Sequence, residues 1–178
     1  MAIVFPSGTL SGPTKVLQVV QTNYNVEYSN QFYSETAKHH LSMFDTTINL
    51  SSTSSKVKIE LAIGSAAATQ TSWGYYIYRN SSEVTGATGS SGNSQPGSWL
   101  RQLRNQSDGN HAFSCYGTYI DSPSTTGNVT YKIYLRAEGT NPSGTFYYLL
   151  NRDQSNNNEN NMSQQITTSR LVLTELAS

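Results

Sequence analysis

The chain has 178 residues and a formal net charge of zero, with 11 Lys and Arg against 11 Asp and Glu. That balance argues against a nucleic-acid-binding surface, which needs clustered positive charge. Charged residues make up 12% of the chain, about half the ~25% usual in globular proteins. Even so, 12 Tyr, 5 Phe and 2 Trp supply a core that a disordered tail would lack. One cysteine, Cys115, rules out an intrachain disulfide.

Residues 1–14 carry two prolines, Pro6 and Pro13, and no basic start, so they read as an extended arm and not as a signal peptide. The remainder, 15–178, reads as one domain, and no stretch approaches the ~18 apolar residues that would span a membrane. Val16–Val20 opens it as a strand with bulky apolar groups on both faces. Ser34–His40 is moderately helical, and Leu41–Leu50 is again strand-like. Lys56–Ile63 alternates cleanly, placing Val57, Ile59, Leu61 and Ile63 on one face and Lys56, Lys58 and Glu60 on the other. Trp73–Tyr78 is apolar on both faces, and the turn Arg79–Ser82 follows it.

Gly86–Gly97 is a Gly/Ser-rich loop, and Ser98–Asn105 fits a short helix or a strand equally well. Phe113–Ile120 is a strand ending near the turn Asp121–Ser124. Val129–Arg136 alternates again, with Val129, Tyr131, Ile133 and Leu135 inward and Thr130, Lys132 and Arg136 outward. Phe146–Leu150 and Leu171–Leu176 are apolar on both sides, separated by the Asn-rich run Ser155–Asn161. The spacing predicts an all-β antiparallel sandwich of roughly eight to ten strands with little helix. Strands apolar on both faces are either central in a sandwich or covered by another subunit.

Reactive side chains are few. His39 and His40 are adjacent and point to opposite faces of a strand, so they cannot chelate one metal. Cys115 lies in a predicted strand, where a buried and inert thiol is expected. Gly86–Gly92 looks like a phosphate loop but lacks a helix and a following Lys-Ser/Thr. The sequence therefore predicts no catalytic, cofactor-binding or metal-binding residue and no cofactor. Tyr75, Tyr76, Tyr78, Tyr131, Tyr134, Tyr147 and Tyr148 fill a core or a subunit interface; the alternative is a sugar-stacking platform.

The order of motifs resembles a domain of virion proteins of tailed bacteriophages, especially marine and cyanobacterial ones. The elements are Lys15–Thr22 (KVLQVVQT), the polar strand Asn23–Asn30, Ile48–Ile59 with its SSTSSK run and the hairpin Tyr76–Asn80. Tyr119–Thr126 (with DSPSTT), Thr130–Tyr134 and the closing Leu171–Leu176 complete the order. The resemblance implies a jelly-roll sandwich, a homotrimer and no catalytic residues. It points to a capsid decoration or cement protein on the virion's outer surface, made in the host cytoplasm and partnered by the major capsid protein. The alternative is a tail fibre or fibre tip that contacts other tail proteins and a host-surface glycan. Under this expectation Ile3, Val4, Phe5, Pro6 and Leu10 anchor the arm to the capsid. Tyr75, Ile77, Tyr147, Leu149, Leu171 and Leu173 are the candidates for the trimer interface.

Overall fold

Alternating apolar side chains need two facing sheets to bury them, and the computed structural model supplies both. It describes residues 15–32, 37–68, 72–89, 98–102, 113–138, 146–151 and 167–177. Six strands form the first sheet: β1 (Val16–Tyr24), β2 (Tyr28–Phe32), β4 (Lys56–Ala68), β8 (Phe113–Asp121), β10 (Phe146–Leu150) and β11 (Ser169–Leu176). Five form the second: β3 (His39–Leu50), β5 (Ser72–Arg79), β6 (Ser82–Glu83), β7 (Leu100–Gln102) and β9 (Gly127–Glu138). Every pairing is antiparallel.

The registers reduce these strands to a simpler plan. Leu61 of β4 pairs with Leu171 of β11 on one side and Gly117 of β8 on the other. Further along, Ala66 pairs with Leu150 of β10 and again with β8. β10 and β11 therefore lie end to end along one edge of β4, as two halves of one arm. β1 and β2 continue each other in the same way along β11 and β10. In the second sheet β6 and β7 share the edge of β5 that β9 does not occupy.

Counted as arms in chain order, the first sheet runs first, eighth, third, sixth, and the second runs second, seventh, fourth, fifth. This is the strand order of a double Greek-key jelly roll.

The core fills the gap between the sheets. Val57, Ile59, Leu61, Ile63, Leu171 and Leu173 from the first sheet meet Leu41, Phe44, Ile48, Trp73, Tyr75, Ile77, Tyr131, Ile133 and Leu135 from the second. The alternation read from 56–63 and 129–135 is the observed one. Arg136 differs: it lies on the outer side of β9 as expected, yet it is almost completely buried.

Of the four two-sided strands, β5, β10 and β11 are internal to their sheets, whereas β1 is an edge strand with Val16, Leu17 and Val19 exposed. The moderately helical reading of 34–40 is corrected where the structure describes it, since His39 and His40 begin β3. Of the two readings of 98–105 the strand holds at Leu100–Gln102, which is β7; residues 34–36 and 103–105 lie outside the described residues. The single polar strand expected over 23–30 is broken between Tyr24 and Tyr28.

That break lies beside the junction of β10 and β11, where one side chain ties the arms together. Asn151, in the left-handed region at φ 58°, donates through Nδ2 to the carbonyls of Tyr24 (2.8 Å) and Val26 (3.1 Å). Its Oδ1 accepts from the Ser169 hydroxyl at 2.6 Å, and that hydroxyl accepts from the Gly64 amide at 3.0 Å. At Gly64 a Cβ would lie 2.7 Å from Thr167 Oγ1 and from the Thr168 carbonyl. Only glycine lets β4 pass so close to the chain entering β11.

Candidate functional surface

Buried polar side chains are the first place to look for chemistry, because an isolated charge is expensive to bury. Glu175 projects from β11 toward the interior and is fully buried. It accepts hydrogen bonds from Gln18 Nε2 (2.5 Å), the Ser51 amide (2.9 Å) and the hydroxyls of Ser51 (2.7 Å) and Ser55 (2.6 Å). Burial pushes its pKa up, but the bonds from Gln18, Ser55 and Ser51 outweigh that and bring it down to about 2. These bonds join β1, the β3–β4 turn and β11. The carboxylate is a structural anchor.

At the same end of the sandwich Arg79 grips Asp121 through both carboxylate oxygens, at 3.1 and 2.8 Å. Tyr131 donates to the same carboxylate at 2.6 Å. The core also holds the Tyr75 and Tyr148 hydroxyls, 3.0 Å apart. Burial raises both phenols, and it raises the half-buried Cys115 thiol to about 11. All three stay protonated at neutral pH, so none is a ready nucleophile. Among the described residues no three His, Cys, Asp or Glu side chains gather into a metal-binding set.

The outer faces carry more information. On the second sheet, His40, Tyr134 and Tyr76 form one row across β3, β9 and β5. The His40 ring stacks on Tyr134 at 4.9 Å, and its Nε2 lies 2.6 Å from Asp45. Tyr134 meets Tyr78 at 4.1 Å. The Lys38 ammonium sits 4.1 Å above Tyr76 and pairs with Glu83, while the Arg136 guanidinium lies 5.4 Å from the same ring. Tyr76 points away from the core and is nevertheless fully buried. Two cations and neighbouring rings close this face, which explains the burial of Arg136.

The first sheet is arranged differently. Its outward rows run Val19–Thr174–Lys58–Ile120, Gln21–Val172–Glu60–Thr118 and Asn23–Arg170–Ala62–Tyr116, from β1 through β11 and β4 to β8. Charge is confined to the two middle strands. Lys58 lies 3.0 Å from Glu60, and Tyr116 donates to Glu60 at 2.5 Å. The bond from Tyr116 is the largest influence holding the Glu60 carboxyl below its ordinary range.

Among the described residues the exposed large apolar side chains are Val16, Leu17, Val19, Val26, Tyr116 and Ile120. Five lie on the edge strands β1 and β8, and Val26 lies in the link that prolongs β1. None belongs to the second sheet.

The residues proposed from sequence separate accordingly. Tyr75, Ile77, Leu171 and Leu173 are fully exposure-free members of the core formed within one chain, and Leu149 is buried as well. Tyr75, Ile77, Leu171 and Leu173 leave no surface for a neighbour, because the facing sheet of the same chain packs against them. The side chain of Tyr147 and the arm residues Ile3, Val4, Phe5, Pro6 and Leu10 lie outside the described residues. Sequence reasoning passed over the outward positions of β1 and β8. Their signal was neutrality: from Val16 to Tyr24 and from Phe113 to Ile120 there is no charged residue.

No family model and no curated protein sequence matches this chain. Among solved structures, the Gt strain of infectious bursal disease virus overlaps all of the chain at 9% identity and a TM-score of 0.43. The Gx strain overlaps 92% of it at 12% identity and a TM-score of 0.37. The chain spans less than half the length of those two chains, 42% and 36% respectively. The jelly-roll assignment rests on the strand order itself.

Proposed function

We propose that this chain is a non-enzymatic structural protein of a virion: a trimeric decoration or cement protein seated on the major capsid protein of a tailed-phage head. The observation that carries this reading is how the side chains are used. The buried polar groups tie the sandwich together, and the exposed apolar groups gather along the edges of one sheet. Such a molecule offers association surface and a rigid frame. The motif order from Lys15 to Leu176 supplies the viral context.

A protein that binds only the assembled shell stabilises it by mass action, which needs area and complementarity without reactive groups. Closed three-fold association also suits a shell's local three-fold axes. Residues 1–14 are the proposed grip on the shell.

Quantitative gel analysis of purified particles tests the assignment. A decoration protein is present at a copy number comparable with that of the major capsid protein. A small fraction of that number, with density on the tail, replaces this reading with the fibre. Deleting residues 1–12 is expected to leave a folded protein that no longer occupies shells. Occupancy equal to the intact chain removes the arm's role.

A further inference from the structure

Edge strands expose unpaired backbone and are usually guarded by lysine, proline, short length or a covering element. Here β1 is nine residues long and has neither charge nor proline, and β8 has no charge before its terminal Asp121, which is buried against Arg79. Among the described residues β1 pairs only with β11, and β8 only with β4. The usual pattern is inverted, with charges on the middle strands and apolar groups at the rims. Val19 and Tyr116 are each 57% exposed and Ile120 is 49% exposed.

We propose that the β1 edge of one copy joins the β8 edge of the next, so that the first sheet continues head to tail from subunit to subunit. Three features select a second copy as the occupant. Four antiparallel arms leave the outer two running in opposite directions, so a neighbour in the same orientation presents β8 antiparallel to β1. The same operation keeps the outer face of one copy continuous with the outer face of the next.

The rows also match in chemistry. The row beginning at Val19 ends at Ile120, the next runs from Gln21 to Thr118, and the third from Asn23 to Tyr116. A rotation without rise about an axis along the strands therefore sets valine beside isoleucine and amides beside a hydroxyl and a phenol. A β1–β1 pairing would leave Tyr116 and Ile120 uncovered. Joining two different edges is a heterologous contact, which closes into a ring when the rotation permits.

This deepens the homotrimer of the proposed function and rests on that self-association, although not on shell binding. The test is sedimentation and light scattering of the full chain and of V19K and I120K, with far-UV circular dichroism to confirm that each is folded. Both substitutions are at exposed outward positions. The intact chain is expected to be a closed oligomer and each variant a monomer.

An equal mixture of the two variants is expected to form a one-to-one dimer, because V19K keeps its β8 edge and I120K keeps its β1 edge. A monomeric intact chain, oligomeric variants, or a loss caused by V19K but not by I120K overturns the joint. Should either lysine variant not fold, V19T and I120T replace the pair, with a weakened oligomer expected from each and unchanged association overturning the proposal. Trimers that survive both edge changes refute this joint and leave shell binding standing. A head-to-tail oligomer absent from particles does the reverse.

Discussion

The two outer faces of this sandwich are built from similar residue types and end in opposite states. On the second sheet, large aromatic side chains point outward and are then covered, Tyr76 completely, by Lys38, Arg136 and neighbouring rings. On the first sheet, Lys58, Glu60 and Arg170 occupy the middle, and the apolar groups stay uncovered at the rims. The difference shows that facing outward and being available are separate properties. A cation laid over a ring closes a face at modest cost, because the charged head keeps contact with water or a counter-ion.

Substitutions can break this contrast, and Tyr76→Ala has the largest expected effect. Although its side chain is on the solvent side of the sheet, its removal should destabilise the fold by roughly 3–5 kcal/mol, as for a core aromatic. Tyr116→Ala on the other sheet should cost less than about 1 kcal/mol. Denaturant unfolding of both measures the gap, and equal costs would show that the faces do not differ.

Next in size is Glu175, which fastens the end of the first sheet to the β3–β4 turn. A carboxyl whose folded pKa is lowered contributes stability that is fully present above its ordinary value of 4.5. That contribution is lost as pH falls from 4.5 toward about 2 and is worth on the order of 3 kcal/mol. Glu175→Gln should therefore lower stability at pH 7 and flatten the acid limb of the unfolding profile. An unchanged acid limb would mean that the anchor carries no charge.

A smaller effect than at Glu175 is expected at Lys38. Lys38→Ala removes the cation over Tyr76 and the partner of Glu83, at a cost of about 1 kcal/mol. It should also raise the accessibility of Tyr76 to small quenchers. Unchanged Tyr76 accessibility would mean that something other than Lys38 covers the ring.

Much of the frame was legible in the sequence because its strongest signals are local. The alternation in 56–63 and 129–135 placed eight core residues on the correct face. The order of motifs implied the jelly roll that the registers then display. Three features were not legible, each because it depends on what a distant segment covers. Period-two reading shows that β5 and β11 are apolar on both sides, but it does not say who buries the second side. Tyr75, Ile77, Leu171 and Leu173 therefore looked like interface residues and are core.

Arg136 looked solvated and is buried because Tyr76 lies beside it on the next strand. The split of one arm into β10 and β11 rests on Asn151 and Ser169, eighteen residues apart, with nothing in either neighbourhood to announce the bond. Neutral outward positions on β1 and β8 were visible in the sequence, but they gain meaning only once both strands are known to be edges.

The central claim is that the first sheet carries uncovered apolar groups at its two rims, whereas the aromatic row on the outer face of the second sheet is covered within the chain. Amide hydrogen exchange of the intact chain across a protein-concentration series addresses it without any substitution. Protection is predicted to rise together in β1 (Val16–Tyr24) and β8 (Phe113–Asp121) as concentration increases, with β3, β9 and β5 unchanged. Protection that rises on the second sheet instead, or in β1 alone, or that does not respond to concentration, contradicts it.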